Sequence, residues 1–134
     1  MTLPYSIGLL DTSVVIELPT LSIEDLPAFP TIRTITLAEL SVGPEVSRNS
    51  EERMRRQLVL QQAEASFDPL PFDAACARRF ALVVGSLRQS GRKTQARALD
   101  ALIAATALTH RIPLYTRNAK DFEGISGLDV RSVR

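Results

Sequence analysis

The sequence is poor in the residues that build several common kinds of site. It has a single cysteine, Cys76, and a single histidine, His110. One cysteine closes no internal disulfide, and the two together furnish neither a Cys/His zinc site nor a C-x-x-C redox couple. Tryptophan is absent and aromatic residues make up 5% of the chain, so platforms for stacking bases are scarce. No apolar run approaches the roughly 20 residues of a membrane span. The stretch from Met1 to Gly8 has no Lys or Arg and no signal-peptide layout. The expectation is a cytoplasmic chain without membrane association. The net charge of +1 excludes a uniformly basic coat. No G-x-x-x-x-G-K-[ST] loop is present, which ranks a nucleotide hydrolase last. Any metal site must be built from oxygen ligands.

What is present is an ordinary core-forming composition, 45% hydrophobic over 134 residues, and residues 1–134 read as one domain. The small net charge hides an asymmetry. Residues 1–77 hold five basic and eleven acidic side chains, whereas residues 78–120 hold nine basic ones and a single acid, Asp100. Such a block is either a phosphate-facing surface or a set of solvated helix faces, and charge alone leaves both open.

Ile7–Leu10 is a short apolar run that stops at Asp11, the pattern of a buried strand with an acid at its carboxyl end. Asp11-Thr12-Ser13 then supplies capping chemistry for a helix through Val14–Leu18. Prolines 19, 27 and 30 predict mostly loop or a short helix up to Pro30. The β-branched stretch Thr31–Thr36 predicts a second strand, and Leu37–Leu40 a helix interrupted at Gly43-Pro44. Further helices are expected over about Glu51–Ser66, from Asp73 to a stop at Gly91, and from Thr94 or Gln95 through Leu108. Phe67–Leu70, Ile112–Tyr115 and Leu128–Val133 are strand candidates, with a loop and helical turn over Thr116–Phe122. Strands alternating with helices imply an α/β fold with a parallel sheet covered on both faces. Such sheets bind ligands at the carboxyl ends of their strands.

Four acids stand beside strong apolar segments: Asp11, Glu39, Asp100 and Asp121. Asp100 lies in a helix apolar on nearly every side, where an ionised carboxylate is costly unless paired. The helix alone allows two readings, a structural bridge to Arg97 three residues earlier or a share in a metal ion. Each of the others has a bland role available: helix cap for Asp11, first-turn acid for Glu39, turn residue for Asp121. Gathered at one strand edge, they would repel one another strongly without a divalent cation. Mg²⁺ or Mn²⁺ accepts oxygen ligands and can activate water against a phosphodiester.

Four segments carry a family resemblance. Leu9-Leu-Asp-Thr-Ser-Val-Val-Ile16, Thr36-Leu-Ala-Glu-Leu40, Leu99-Asp-Ala-Leu-Ile-Ala-Ala-Thr-Ala-Leu108 and Leu114-Tyr-Thr-Arg-Asn-Ala-Lys-Asp-Phe122 resemble, in order and spacing, the four motifs of the PIN-domain family. In length and wording they are most similar to VapC-type toxins of bacterial toxin–antitoxin modules. The resemblance implies a three-layer α/β/α sandwich with a central, mainly parallel sheet. It implies an Mg²⁺- or Mn²⁺-dependent endoribonuclease acting on tRNA or rRNA. Asp11, Glu39, Asp100 and Asp121 then form the acidic catalytic and metal site. Asp11 and Asp100 are expected as direct ligands, Glu39 as a direct or water-mediated one, and Asp121 as an outer or second-metal acid. Ser13, Thr116 and Asn118 match the polar residues that orient these carboxylates. Arg92, Lys93, Arg97, Arg117 and Lys120 are candidates for contacting RNA. A homodimer and a VapB-type antitoxin, joined in a higher assembly, are the implied partners. The alternative of another class is a non-cleaving RNA- or partner-binding module of the same fold.

Overall fold

The computed structural model describes residues 6–92 and 97–134. Strand β1 (Ile7–Leu10) lies between β2 (Phe29–Thr31) and β3 (Leu114–Thr116), and β4 (Val130–Ser132) completes the sheet beyond β3. The order is β2-β1-β3-β4 and every pairing is parallel. The helices are α1 (Thr12–Glu17), α2 (Thr34–Glu45), α3 (Ser50–Ser66), α4 (Ala74–Gln89) and α5 (Ala98–His110). Among the described residues no helix is long and apolar enough to cross a membrane.

The expected three layers follow from the alternation of side chains along the central strands. Leu9 and Leu114 are register partners and join the core beneath α4 and α5, with Val83, Leu87, Ile103 and Ala104. Their neighbours Leu10 and Tyr115 point the other way, into the core shared with Val14, Val15, Leu40 and Ala63 of α1, α2 and α3. Cys76 is fully buried on α4, as a small core residue. Gly8 is required in β1, because a Cβ there would stand 2.5 Å from the Tyr115 ring and 2.8 Å from Pro27.

The last two strands are shorter than expected, Leu114–Thr116 and Val130–Ser132, with Thr116 ending β3 and not opening the loop, and larger differences occur elsewhere. The second strand is Phe29–Thr31, not Thr31–Thr36. Pro30 is tolerated because β2 is an edge strand. Thr34 and Thr36 instead start α2, where the buried series Thr36, Leu40 and Pro44 faces the core at helical spacing. That helix also runs through Gly43-Pro44 to Glu45 instead of breaking there. Pro44 falls in its last turn, and the Gly43 carbonyl accepts from Arg56 Nη1 and Ser47 Oγ, both at 2.9 Å. Phe67–Leu70 forms no strand; an isolated parallel bridge ties Leu70 to Arg33. Gly91, at φ +80°, closes α4 as expected. The expected helix start at Thr94 or Gln95 lies outside the described residues.

Candidate active site

The chain leaves β1 towards β2 on one side and reaches β3 and β4 on the other, so the strand order reverses between β1 and β3. A crevice opens outside the carboxyl ends of two such strands. Asp11 follows the last residue of β1, and Thr116 is the last residue of β3. The four acids are related through this edge.

Asp11 is held on both oxygens. Its Oδ1 accepts from the Thr12 backbone N–H at 2.9 Å, capping α1. Its Oδ2 accepts from Ser13 Oγ at 2.9 Å and Thr116 Oγ1 at 2.8 Å. Those hydroxyls are fixed in turn, because Ser13 Oγ accepts from the Arg117 N–H and Thr116 Oγ1 from the Asn118 N–H. Asn118 therefore serves the site through its backbone: its carbonyl also accepts from the Asp121 N–H at 2.9 Å.

Glu39 projects from α2 and its Oε1 accepts from Thr12 Oγ1 at 2.9 Å and Arg33 Nη2 at 3.1 Å. Arg33 is 1% exposed, and its Nη1 donates to the Leu99 carbonyl at 3.3 Å, at the start of α5. Burial pulls the Arg33 guanidinium down to about 10, against the opposing pull of Glu39, Asp11 and Asp100, so it stays charged at neutral pH. Arg33 Nε is a buried N–H without a partner.

On the other side Arg97 Nη1 joins two acids, with Asp121 Oδ1 at 2.7 Å and Asp100 Oδ2 at 3.7 Å. The local bridge expected from sequence is present, and the shorter contact is to Asp121. Asp100 is pushed up to about 6, first by burial and then by Asp121 and Asp11, with Arg97 and Arg33 opposing the rise. Both readings of Asp100 remain open: it is ion-paired with Arg97, yet burial and its acidic neighbours still hold its carboxyl above the usual range.

The basic candidates divide. Arg97, Arg117 and Lys120 belong to segments at this edge, and the last two are exposed. Arg92 is engaged with Glu123 at 3.7 Å. Lys93 lies outside the described residues. Arg79 and Arg111 of the same basic block line a cavity with Pro113 and Asp129, which precede β3 and β4 at the opposite edge. Three residues at the site were not singled out from sequence: Thr12, Thr36 and Arg33. Thr12 and Thr36, 3.4 Å apart, stand inside the first two motifs. Arg33 is the one charge in an otherwise β-branched run, Thr31–Thr36.

Among the described residues no three acids are collected into a ready-made metal cage. The donor set is nevertheless carboxylate and hydroxyl oxygen, which suits a hard divalent ion. An open arrangement suits Mg²⁺ in particular, since that ion keeps several waters and needs only one or two carboxylates. A divalent cation would offset the burial and the acidic neighbours that together raise Asp100. Asp11, Asp100, Asp121 and Glu39 are the acids that could hold such an ion, with Ser13 and Thr116 donating to Asp11.

Comparison with known proteins agrees with this architecture. The family model for the PIN domain matches residues 8–128. Ribonuclease VapC5 of Mycobacterium tuberculosis is 33% identical over 123 residues, covering 90% of this chain and 88% of the relative. Ribonuclease VapC1 of Rickettsia felis is 33% identical over 102 residues, covering 76% of this chain and 75% of that protein. The crystal structure of VapBC-5, a member of the VapBC family of toxin–antitoxin systems from Mycobacterium tuberculosis, superposes with a TM-score of 0.83 at 31% identity. It covers 96% of this chain and 99% of its own. With the fold, the acid-lined strand edge and the four motifs in agreement, the chain belongs to the PIN-domain family, as one of its VapC-type members.

Proposed function

We propose that this chain is a Mg²⁺- or Mn²⁺-dependent endoribonuclease, the toxin of a VapBC-type module, cutting structured RNA such as tRNA or rRNA. The observation that carries the reading is the placement of Asp11, tied to Thr116 at the carboxyl end of β3, near Asp100 and Asp121, which Arg97 bridges. In this reading Asp11 and Asp100 would hold the ion directly, Glu39 directly or through water, and Asp121 as an outer or second-metal acid. A bound divalent ion would supply a water of lowered pKa and neutralise charge on the phosphoryl oxygens. The chain's own residues do the rest. Ser13 and Thr116 keep Asp11 Oδ2 oriented, while the Thr12 backbone N–H holds Oδ1. Arg97, Arg117 and Lys120 attract the phosphate backbone. In-line attack by water leaves a 5′-phosphate and a 3′-hydroxyl.

A VapB-type antitoxin is the proposed partner, in an assembly built on a toxin homodimer. A groove of about 410 Å³ runs beside Glu39, with Ile16, Val42 and Val46 exposing apolar surface along it. It suits an apolar segment of the antitoxin ending at the acids.

The test is incubation of the purified chain with total bacterial RNA under Mg²⁺, Mn²⁺ or EDTA, with the ends of the products sequenced. Discrete cuts that need metal and carry 5′-phosphates are the expected result. Tight, salt-sensitive RNA binding with no metal-dependent product would instead establish the non-cleaving module.

A further inference from the structure

Arg33 is a cation inside the acid cluster that cannot leave it. Its side chain is 2% exposed, whereas the Arg97 side chain is 33% exposed. Nη2 is spent on Glu39 and Nη1 on the Leu99 carbonyl, the residue before Asp100. The guanidinium thereby ties the start of α2 to the start of α5, and its charge is felt by Glu39, Asp11 and Asp100 together. Glu39 is correspondingly committed, since its Oε1 already accepts from Arg33 and Thr12.

Charge counting gives this arrangement a consequence. Four carboxylates share the edge with two guanidiniums, Arg33 and Arg97. Two negative charges remain, which one divalent ion neutralises. A second divalent ion would meet a site already brought to neutrality and would lie beside a fixed guanidinium, an unfavourable encounter in a partly desolvated crevice. We infer that Arg33 is a built-in cation of the cluster, a positioning residue that keeps Glu39 out of direct coordination and limits the site to a single divalent ion. This inference rests on the reading of the acids as a metal site.

The test is a Mn²⁺ titration of the full chain in which free Mn²⁺ is read by electron paramagnetic resonance, with folding checked by circular dichroism in EDTA. Wild type is expected to bind one Mn²⁺. Arg33→Met frees the Glu39 charge, so it is expected to bind the first ion about tenfold tighter or to admit a second. Glu39→Gln leaves Arg33 uncompensated and is expected to weaken binding about tenfold. The double variant Arg33→Met/Glu39→Gln restores the net charge and is expected to bind one ion within about threefold of wild type. Should Arg33→Met fail to fold, Glu39→Gln and the double variant decide together: weakening in the first that the second restores supports the inference, and equal binding by both overturns it. Two ions on wild type, an unchanged Arg33→Met, or loss of binding in the double variant would each overturn the inference. Mn²⁺ binding with an insensitive Arg33→Met sinks the role of Arg33 alone. Absence of Mn²⁺ binding by wild type sinks the metal reading and this inference together.

Discussion

Asp11 and Glu39 are held by groups that cannot leave, whereas Asp100 and Asp121 are joined by one that can. The first pair receives strand-end and helix-cap donors, Thr12, Ser13 and Thr116, together with the buried Arg33. The second pair shares Arg97, whose side chain is a third exposed. One half of the site is therefore preorganised by the fold, and the other half is bridged by a partly exposed cation. Fixed donors set the geometry of a reacting centre, while an exposed cation is suited to capture and release.

The sharpest way to break the comparison is to remove an acid from each half. Asp11→Asn and Asp100→Asn are each expected to lower the RNA cleavage rate roughly a thousandfold, measured under saturating Mn²⁺. Next in size is the support of the fixed half. Thr116→Val removes a donor to Asp11 and is expected to cost about 10–100-fold in activity with folding intact by circular dichroism. A loss below threefold would show that Asp11 needs no such orientation. The exchangeable half predicts a different signature. Arg97→Ala is expected to raise KM about tenfold, with a smaller effect on kcat, and to reduce the salt slope of RNA binding by about 1. A pure kcat loss would mean that Arg97 only positions Asp100 and Asp121.

The smallest effect concerns stability without metal. Asp100 is pushed up to about 6, so the folded state holds its proton more tightly than the unfolded chain does. Stability is then lost as pH rises from about 4 to about 6, and the loss persists above that range. In EDTA, Asp100→Asn is expected to melt a few degrees above wild type at pH 7.5 and level with it below pH 4. Equal melting at both pH values would contradict the burial and repulsion ascribed to Asp100.

The fixed half was also the more legible one. An apolar run halted by Asp11 and followed by Thr-Ser marks a strand end and a cap within a few residues, and both are present. Its hidden member, Arg33, was masked by the β-branched run around it, which reads as strand by local propensity. Tertiary packing of Thr36, Leu40 and Pro44 turns the chain into α2 instead and leaves Arg33 at the junction. The link of Arg97 to Asp100 was visible because three residues on a helix set it. Its shorter contact to Asp121 was not, since it requires α5 and the turn after β3 to meet in space. Charge counting along the chain likewise suggested one basic block, but helices that reverse direction carry its arginines to both edges of the sheet.

The most direct test of the central claim, that the two halves form one catalytic site, is single-turnover cleavage of the RNA cut by wild type, using Asp11→Asn, Asp100→Asn and the double variant. Residues acting as a unit are not additive. A single site requires the double variant to be no slower than the slower single one; losses that multiply, or an Asp100→Asn chain that cuts at the wild-type rate, would show that the two halves act apart.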